Sequence, residues 1–568
     1  MNRAMGKKQQ KTIFEVTAVA KRHPKTDLLI LARLLKDEGT KQFQDEAHVA
    51  AAHQVLVKWA DMEASGRLAE FTEKQLQGIF LTEVFGDALN YMPASESSSV
   101  WNLEQEYLIA PGQTPDAILG KFQQGETRKP LAVIELKGPK VHLDRDRSNG
   151  RTAVDQCWDY LVNTSTACRW GIVSNIVSFR LYERDSTKQK YEHFTLQELK
   201  DYTAFRRFYA LFHRNGLVEG VVNEVPRAKR LLKDTNTRQR EVSDKLYDTY
   251  SEHRAELIAH LHGQLKYSVD DSIKYGQLLL DRIVFIAFCE DRGLLPTETI
   301  KKAYERIPAF SRVTNPRWQN FKDLFESIDK GHPGTNGDHR EAIPAYNGGL
   351  FQKSLADDLN LDDQWTHFFN WISEFDFADE VNLDVLGHLF ERSITELEKL
   401  RFTGMFGDAE KAEQFARMPQ SVKRKQLGVY YTPAELTSRI VDYTVGELIV
   451  ERFADAAVEF GIEREAALRD IFPEDAEFWR ECLDILRDLK IVDPACGSGA
   501  FLFQAYNALE ARYLEVVGHL EQTGTKNTEE LENQIPQFIL NENLYGVDLS
   551  PEAVEITQLA LWIRSATR

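Results

Sequence analysis

The sequence predicts a multidomain α/β protein: a compact mixed unit towards the N-terminus, a helical connector, and the start of a doubly wound parallel sheet. Three observations carry that expectation. The chain has 568 residues, more than one hydrophobic core normally supports. Between residues 100 and 182 short β-rich runs surround a single helical stretch. From residue 421 a turn, a helix, a strand ending in a glycine loop, a second helix and a second strand follow one another, which is the alternation of a doubly wound sheet.

Residues 1 to about 95 read as helical, and in Phe71 to Tyr91 the residues Leu76, Ile79, Phe80, Val84 and Leu89 recur near helical spacing before a stop at Pro93. Strands are expected at Glu106 to Ile109, Ala117 to Leu119, Leu131 to Leu136, Trp170 to Ser174 and Ser178 to Tyr182, with a helix from Thr152 to Val162. From 196 to 420 the apolar spacing is mostly helical, as in Tyr275 to Cys289 and Val381 to Leu400, broken by Gly- and Pro-containing loops around 331 to 350. The expected units are therefore 1–195, 196–420 and 421–568.

Hydrophobic residues at 42%, aromatics at 11% and charged residues at 28% are the values of a globular protein and argue against pervasive disorder. No apolar run reaches membrane-spanning length, and Met1 to Lys11 is polar and basic, without the apolar stretch of a secretory signal. A cytoplasmic protein with no membrane partner is expected. The cysteines 157, 168, 289, 482 and 496 lack C-x-x-C spacing, which argues against a zinc site or a disulfide framework. A formal charge of −18 repels nucleic acid when spread evenly, so phosphate contacts would need local basic clusters. Two exist, Arg227 to Arg240 and Lys423-Arg424-Lys425, and for each the alternative is a solvated helix face.

Asp116 follows Pro115 and is separated by a turn-rich segment from the run Leu131-Ala-Val-Ile-Glu135-Leu-Lys137. Residues i and i+2 of a strand share a face, so Glu135 and Lys137 project together with Val133 beneath them, and Asp116 can join them from a neighbouring strand. Two carboxylates and a peptide carbonyl suit Mg²⁺, which activates water against a phosphodiester, while the lysine stabilises growing negative charge. Short patterns of this kind also arise as ordinary surface charges. The order of Asp, apolar strand and E-x-K resembles the PD-(D/E)xK nuclease superfamily. Gln156 and Tyr160 match the Q-x-x-x-Y element of nuclease domains in restriction enzymes of types I and IIG, and their spacing places both on one helical face. The same resemblance implies that Glu83 completes the acidic metal site with Asp116 and Glu135.

Ile491-Val-Asp493-Pro-Ala495-Cys-Gly497-Ser-Gly499-Ala-Phe-Leu502 reads as a strand, a glycine turn and a helix beginning near Ala500. Glycines there let backbone amides approach a ligand beyond the carboxyl end of the strand. The spacing is neither G-x-G-x-x-G nor a P-loop. The string D-P-A-C-G-S-G is similar to the cofactor motif of amino-methylating DNA methyltransferases, which implies S-adenosyl-L-methionine with Asp493 near its methionine end. Gly428-Val-Tyr-Tyr431-Thr432-Pro433 resembles the upstream element of that family. Leu544 to Pro551 reads as the second strand, and a carboxylate at Asp548 suits the ribose hydroxyls, with a helix cap as its alternative.

Together these motifs resemble type IIG restriction and modification enzymes, over about 70 to 190 and 421 to 568, and Val385 to Glu391 resembles a helix found there. The resemblance implies a site-specific adenine methyltransferase fused to a Mg²⁺-dependent endonuclease, acting on double-stranded DNA in restriction or phage defence. The alternative is a DNA-binding subunit that senses S-adenosyl-L-methionine without catalysis. The N/D-P-P-Y/F element with which this family holds a flipped adenine is not in the sequence. The chain is accordingly expected to stop inside its methyltransferase domain and to lack methyl transfer by itself, as a fragment, a premature stop or half of a split gene whose second polypeptide would complete that domain and target recognition.

Overall fold

A computed structural model describes residues 28–566 except 96–98, 149–150, 220–224, 308–310, 335–340, 344, 346–349, 378–380, 382–431, 433, 469–471 and 550. Three helices come first, α1 (Ala32–Thr40), α2 (Glu46–Ala64) and α3 (Glu73–Phe80), the last continuing as a wider π turn over Leu81–Ala88. The helical spacing of Phe71 to Tyr91 is thus realised as one continuous rod, with Leu76, Phe80, Val84 and Phe85 buried.

The strands β1 (Val100–Gln105), β2 (Ala117–Gln123), β3 (Pro130–Leu136), β6 (Trp170–Ser174), β7 (Ser178–Glu183) and β8 (Glu192–Thr195) form one sheet in the order β1-β2-β3-β6-β7-β8. Between β3 and β6 come the short hairpin β4 (Arg147–Ser148) and β5 (Arg151–Thr152) and the helix α4 (Ala153–Asn163). β3 and β6 are parallel and all other neighbours in this sheet antiparallel, so a crossover was required at that one place, and α4 supplies it. Alternation divides β3 between two cores: Ala132, Ile134 and Leu136 face the N-terminal helices, while Val133 faces α4. A Cβ added at Gly171 would lie 2.6 Å from Cys157 Sγ; the glycine lets α4 lie close upon β6.

Two expectations change here. Glu106 to Ile109 is not a strand; the strand runs from Val100 to Gln105 and Glu106 takes φ 51°, a left-handed turn that ends the ladder. The sheet's core also runs on past residue 195: β8, α5 (Tyr202–Phe212), α6 (Arg214–Leu217) and the first turns of α7 (Arg227–Gly263) bury Phe194, Phe205, Phe208, Phe212, Leu231 and Leu232 with the N-terminal helices.

The remainder of α7 enters a second core with α8 (Val269–Asp291), α9 (Thr299–Glu305), α10 (Pro316–Lys330) and α11 (Trp365–Ile372), as the helical spacing predicts. Buried Arg282 on α8 is held there by Asp357 and by the carbonyls of Leu350 and Gln352. Basic residues of 227–240 are partly engaged internally: Arg230 pairs with Glu38 at 2.7 Å and the Arg227 guanidinium lies over Phe43. Lys423 to Lys425 and Val385 to Glu391 lie outside the described residues.

A third core gathers α12 (Ala434–Val441), α13 (Glu447–Glu459), α14 (Arg464–Ala467), α15 (Ala476–Asp488), α16 (Ala500–Gln522) and α17 (Thr528–Phe538) around the parallel strands β9 (Ile491–Asp493) and β10 (Leu544–Gly546). The helix α18 (Pro551–Ala566) gives Leu561 to this core and Ala553, Ile556, Leu559 and Ile563 to the second. Ion pairs tie the first unit to the third. Lys188 reaches Asp155 of α4 at 2.9 Å and Asp442 at 3.1 Å, and Arg147 of β4 meets Glu515 of α16 at 3.0 Å. No described helix is long and apolar enough to cross a membrane.

Candidate functional site

Two sites emerge, one at the edge of the six-stranded sheet and one at the end of β9. At the first, Asp116 immediately precedes β2, and the register Ala117↔Ile134 sets it beside the end of β3. Its Oδ2 accepts the Leu136 amide at 2.6 Å. Glu135, only 3% exposed, projects towards α4, and Lys137 Nζ donates to its Oε1 at 2.6 Å. The Lys137 amide bonds to Ser174 O at 2.8 Å, which keeps the lysine in register past the end of β3.

The helix α4 is anchored by a reciprocal cap between Thr152 and Asp155. It brings Gln156 Oε1 to 3.1 Å from Lys137 Nζ, and Gln156 Nε2 holds the hairpin through Arg151 O at 3.2 Å. Tyr160, one turn on, bonds to Thr114 O at 3.4 Å and faces Glu135, and burial raises its pKa, as do the charges of Glu135 and Asp116. Asp116, Glu135, Lys137, Gln156 and Tyr160 are therefore one cluster.

Glu83 is placed elsewhere. Its carboxylate is taken up by Lys58 Nζ at 2.8 Å and Trp59 Nε1 at 3.0 Å. The acid that α3 does bring to the cluster is Glu73, whose Oε2 accepts the Gly138 amide at 3.3 Å. Ten residues, about 15 Å of helix, separate the two. Glu73 and its neighbour Gln77, which donates to Asp116 Oδ1 at 3.3 Å, were not singled out from the sequence. Their spacing i, i+4 before an apolar helix was the available signal.

Burial raises the pKa of Glu135 to about 7, with the charge of Asp116 adding to the rise and Lys137 opposing it. Asp116 is raised as well, again chiefly by burial, against the Leu136 amide and Lys137. Two desolvated acids that each disfavour the other's ionisation form a locus where added positive charge is stabilising. The donors are carboxylate and carbonyl oxygens, the set that fits Mg²⁺. Among the described residues no three His, Cys, Asp or Glu side chains are gathered as a metal-ligand group.

At the second site β9 ends in Asp493, whose Oδ1 accepts the Ala495 amide at 3.1 Å. The loop turns through Gly497 at φ 55° and Gly499 at φ 84°, and α16 starts at Ala500. Nothing lies within 4 Å of a Cβ built on Gly497, whereas one on Gly499 would lie 2.8 Å from Thr557 Cγ2 of α18. The first glycine thus leaves an open approach to the backbone, and the second allows α18 to pack on the loop. Asp548, just beyond β10, accepts the Gly497 amide through Oδ2 at 2.9 Å, and Thr557 donates to Gly497 O at 2.8 Å. Asp493, Ala495, Gly497, Gly499 and Asp548 share this one loop region. Thr432 is half-buried before α12; Tyr431 and Pro433 lie outside the described residues.

The chain is thus a mixed α/β protein with an acid and lysine cluster on a sheet edge and a glycine loop between parallel strands. Residues 473–567 match the family described as MmeI, DNA-methyltransferase domain. The chain is similar to type II restriction enzymes fused to methyltransferases: it is 30% identical over 322 residues to a protein of Methanocaldococcus jannaschii named as a type II restriction enzyme and methyltransferase, covering 52% of this chain and 25% of that one. The adenine-specific methyltransferase BrxX of Escherichia coli O9:H4 is 25% identical over 32% of this chain and 13% of its own length. The structure of the type IIL restriction-modification enzyme MmeI in complex with DNA covers 56% of this chain and 36% of its own at 18% identity, with a TM-score of 0.35. The chain spans about a quarter of the length of the curated relative from Methanocaldococcus jannaschii.

Proposed function

We propose that this chain joins a Mg²⁺-dependent DNA endonuclease site to the S-adenosyl-L-methionine pocket of an adenine-specific DNA methyltransferase, acting on double-stranded DNA. The observation that carries the nuclease reading is the pairing of half-buried Asp116, just before β2, with buried Glu135 on the neighbouring β3, and Lys137 between Glu135 and Gln156. Asp116, Glu135 and the Leu136 carbonyl are the groups to hold the cation. A divalent cation held there would supply positive charge to a phosphodiester and would lower the pKa of a bound water. Lys137 holds its ammonium against Glu135 and stabilises negative charge growing on phosphate. Gln156 fixes the lysine's direction from α4, and Tyr160 keeps its proton and packs against Glu135.

For the methyltransferase, the family match over 473–567 supports the reading. The carboxylates of Asp493 and Asp548, which hold the Ala495 and Gly497 amides of the loop, stand beside the open side of Gly497, suited to the amino acid and ribose portions of the methyl donor. Adenine as the methylated base rests on the similarity to relatives so named. The decisive experiment is plasmid cleavage with Mg²⁺ by the wild type, Glu135→Ala and Lys137→Ala, with calorimetric binding of S-adenosyl-L-methionine alongside. Loss of cleavage in both variants with binding intact is expected; equal cleavage by all three sinks the nuclease assignment.

A further inference from the structure

Gln77 half-emerges from α3 one turn beyond Glu73. Its Nε2 lies 3.2 Å from Leu136 O, 3.3 Å from Asp116 Oδ1 and 3.4 Å from Glu73 Oε1. Three oxygens, two of them from acids, thus converge on a single nitrogen. An amide group offers two protons and no formal charge, so it meets three acceptors only at long range. Mg²⁺ needs its oxygens at about 2.1 Å. The oxygens around Gln77 stand farther out, in keeping with the lack of a drawn-together ligand group among the described residues.

We propose that the Gln77 carboxamide is a placeholder: in the metal-free protein it occupies the cation's position between Asp116 and the Leu136 carbonyl, and it swings out when a divalent cation enters. The proposal rests on the nuclease reading above. A neutral amide suits the task, since it relieves repulsion among the oxygens yet loses to a dipositive ion in a site of this depth. Lys137 has the complementary part at Glu135, so each carboxylate has its own donor while the cation is away. The side chain is half-buried, so solvent lies within its reach.

The test uses the full chain with Gln77→Met, which keeps length and apolar stem but removes the donor, and with Gln77→Ala as a second variant should methionine disturb α3. Titration calorimetry with Mg²⁺ and Mn²⁺ should show both variants binding about three- to tenfold more tightly than wild type, the loss of one or two long hydrogen bonds that compete with the ion. Without cation the variants should melt below wild type, and saturating Mg²⁺ should close or reverse that gap. Unchanged affinity, or an equal melting deficit with and without Mg²⁺, makes Gln77 a packing residue and overturns the proposal. Weaker binding overturns it too, making Gln77 a ligand. If the wild type takes up no divalent cation, the site reading itself fails, an outcome separate from wild type and variants binding alike.

Discussion

Replacing Gly499 by alanine probes how the glycine loop is built. At φ 84° the residue sits in the left-handed region, where a Cβ costs about 1–2 kcal/mol. The added carbon would also lie 2.8 Å from Thr557 Cγ2, 3.0 Å from its Oγ1 and 3.2 Å from its Cβ. Thr557 is only 4% exposed, so α18 must shift, an overpacking of about 1–3 kcal/mol. Together the variant should lose about 2–5 kcal/mol of local stability. Three cores make a single global unfolding energy ill-defined, so the assay is hydrogen exchange of the amides in 491–503, with calorimetric affinity for S-adenosyl-L-methionine. Adding Thr557→Ser removes Cγ2 but keeps the hydroxyl that bonds to Gly497 O, and should recover about 1 kcal/mol of the packing loss while leaving the backbone strain. Wild-type exchange in Gly499→Ala, or no recovery in the double variant, would refute this account of the loop.

Asp548→Ala removes the acceptor of the Gly497 amide and should weaken calorimetric binding of S-adenosyl-L-methionine about tenfold or more; unchanged affinity removes Asp548 from the pocket. In the metal-free chain Glu135, raised from 4.5 to about 7, binds its proton more tightly folded than unfolded, so its contribution to stability falls as pH rises from 4.5 to about 7 and is level beyond. Glu135→Gln should flatten that part of the profile in thermal melts with chelator present, and an unaltered slope counts against the assignment. Arg147→Ala leaves buried Glu515 with Arg512 at 3.0 Å, and should cost about 1–3 kcal/mol, read as faster exchange in the β4–β5 hairpin; identical exchange there would show that the pair does not hold the two units together.

The sheet-edge cluster was legible where chemistry and periodicity lie on one strand. The alternation of Val133, Glu135 and Lys137 fixed their common face, and the four-residue step from Gln156 to Tyr160 set both against it. The contribution of α3 was not legible, because which turn of a helix meets a strand end depends on packing. Glu83 and Glu73 are both acids on one rod, and only the burial of Leu76 and Phe80 decides that Glu73 faces Asp116. The short polar strand Glu192–Thr195 gave little alternation to detect, and the left-handed turn at Glu106 has no residue-type signal. At the glycine loop the start of α16 at Ala500 was readable from Gly499, but its dependence on Thr557, fifty-eight positions on, was not.

The helix α7, 37 residues long and therefore about 55 Å from end to end, is a beam shared by two cores. Ala228, Leu231 and Leu232 belong to the first, while Val242, Leu246, Tyr250, Leu257 and Leu261 belong to the second. Between the two sets, Thr235 accepts the Leu31 amide at 3.1 Å. A cut at 195 would strip the sheet unit of the aromatic face of α5, and a cut between 232 and 242 would leave each half of the beam with one unsupported end. Excision of the six-stranded sheet unit should therefore run to about residue 263, carrying an apolar stripe that needs solubilising substitutions at Leu246, Tyr250 and Leu257.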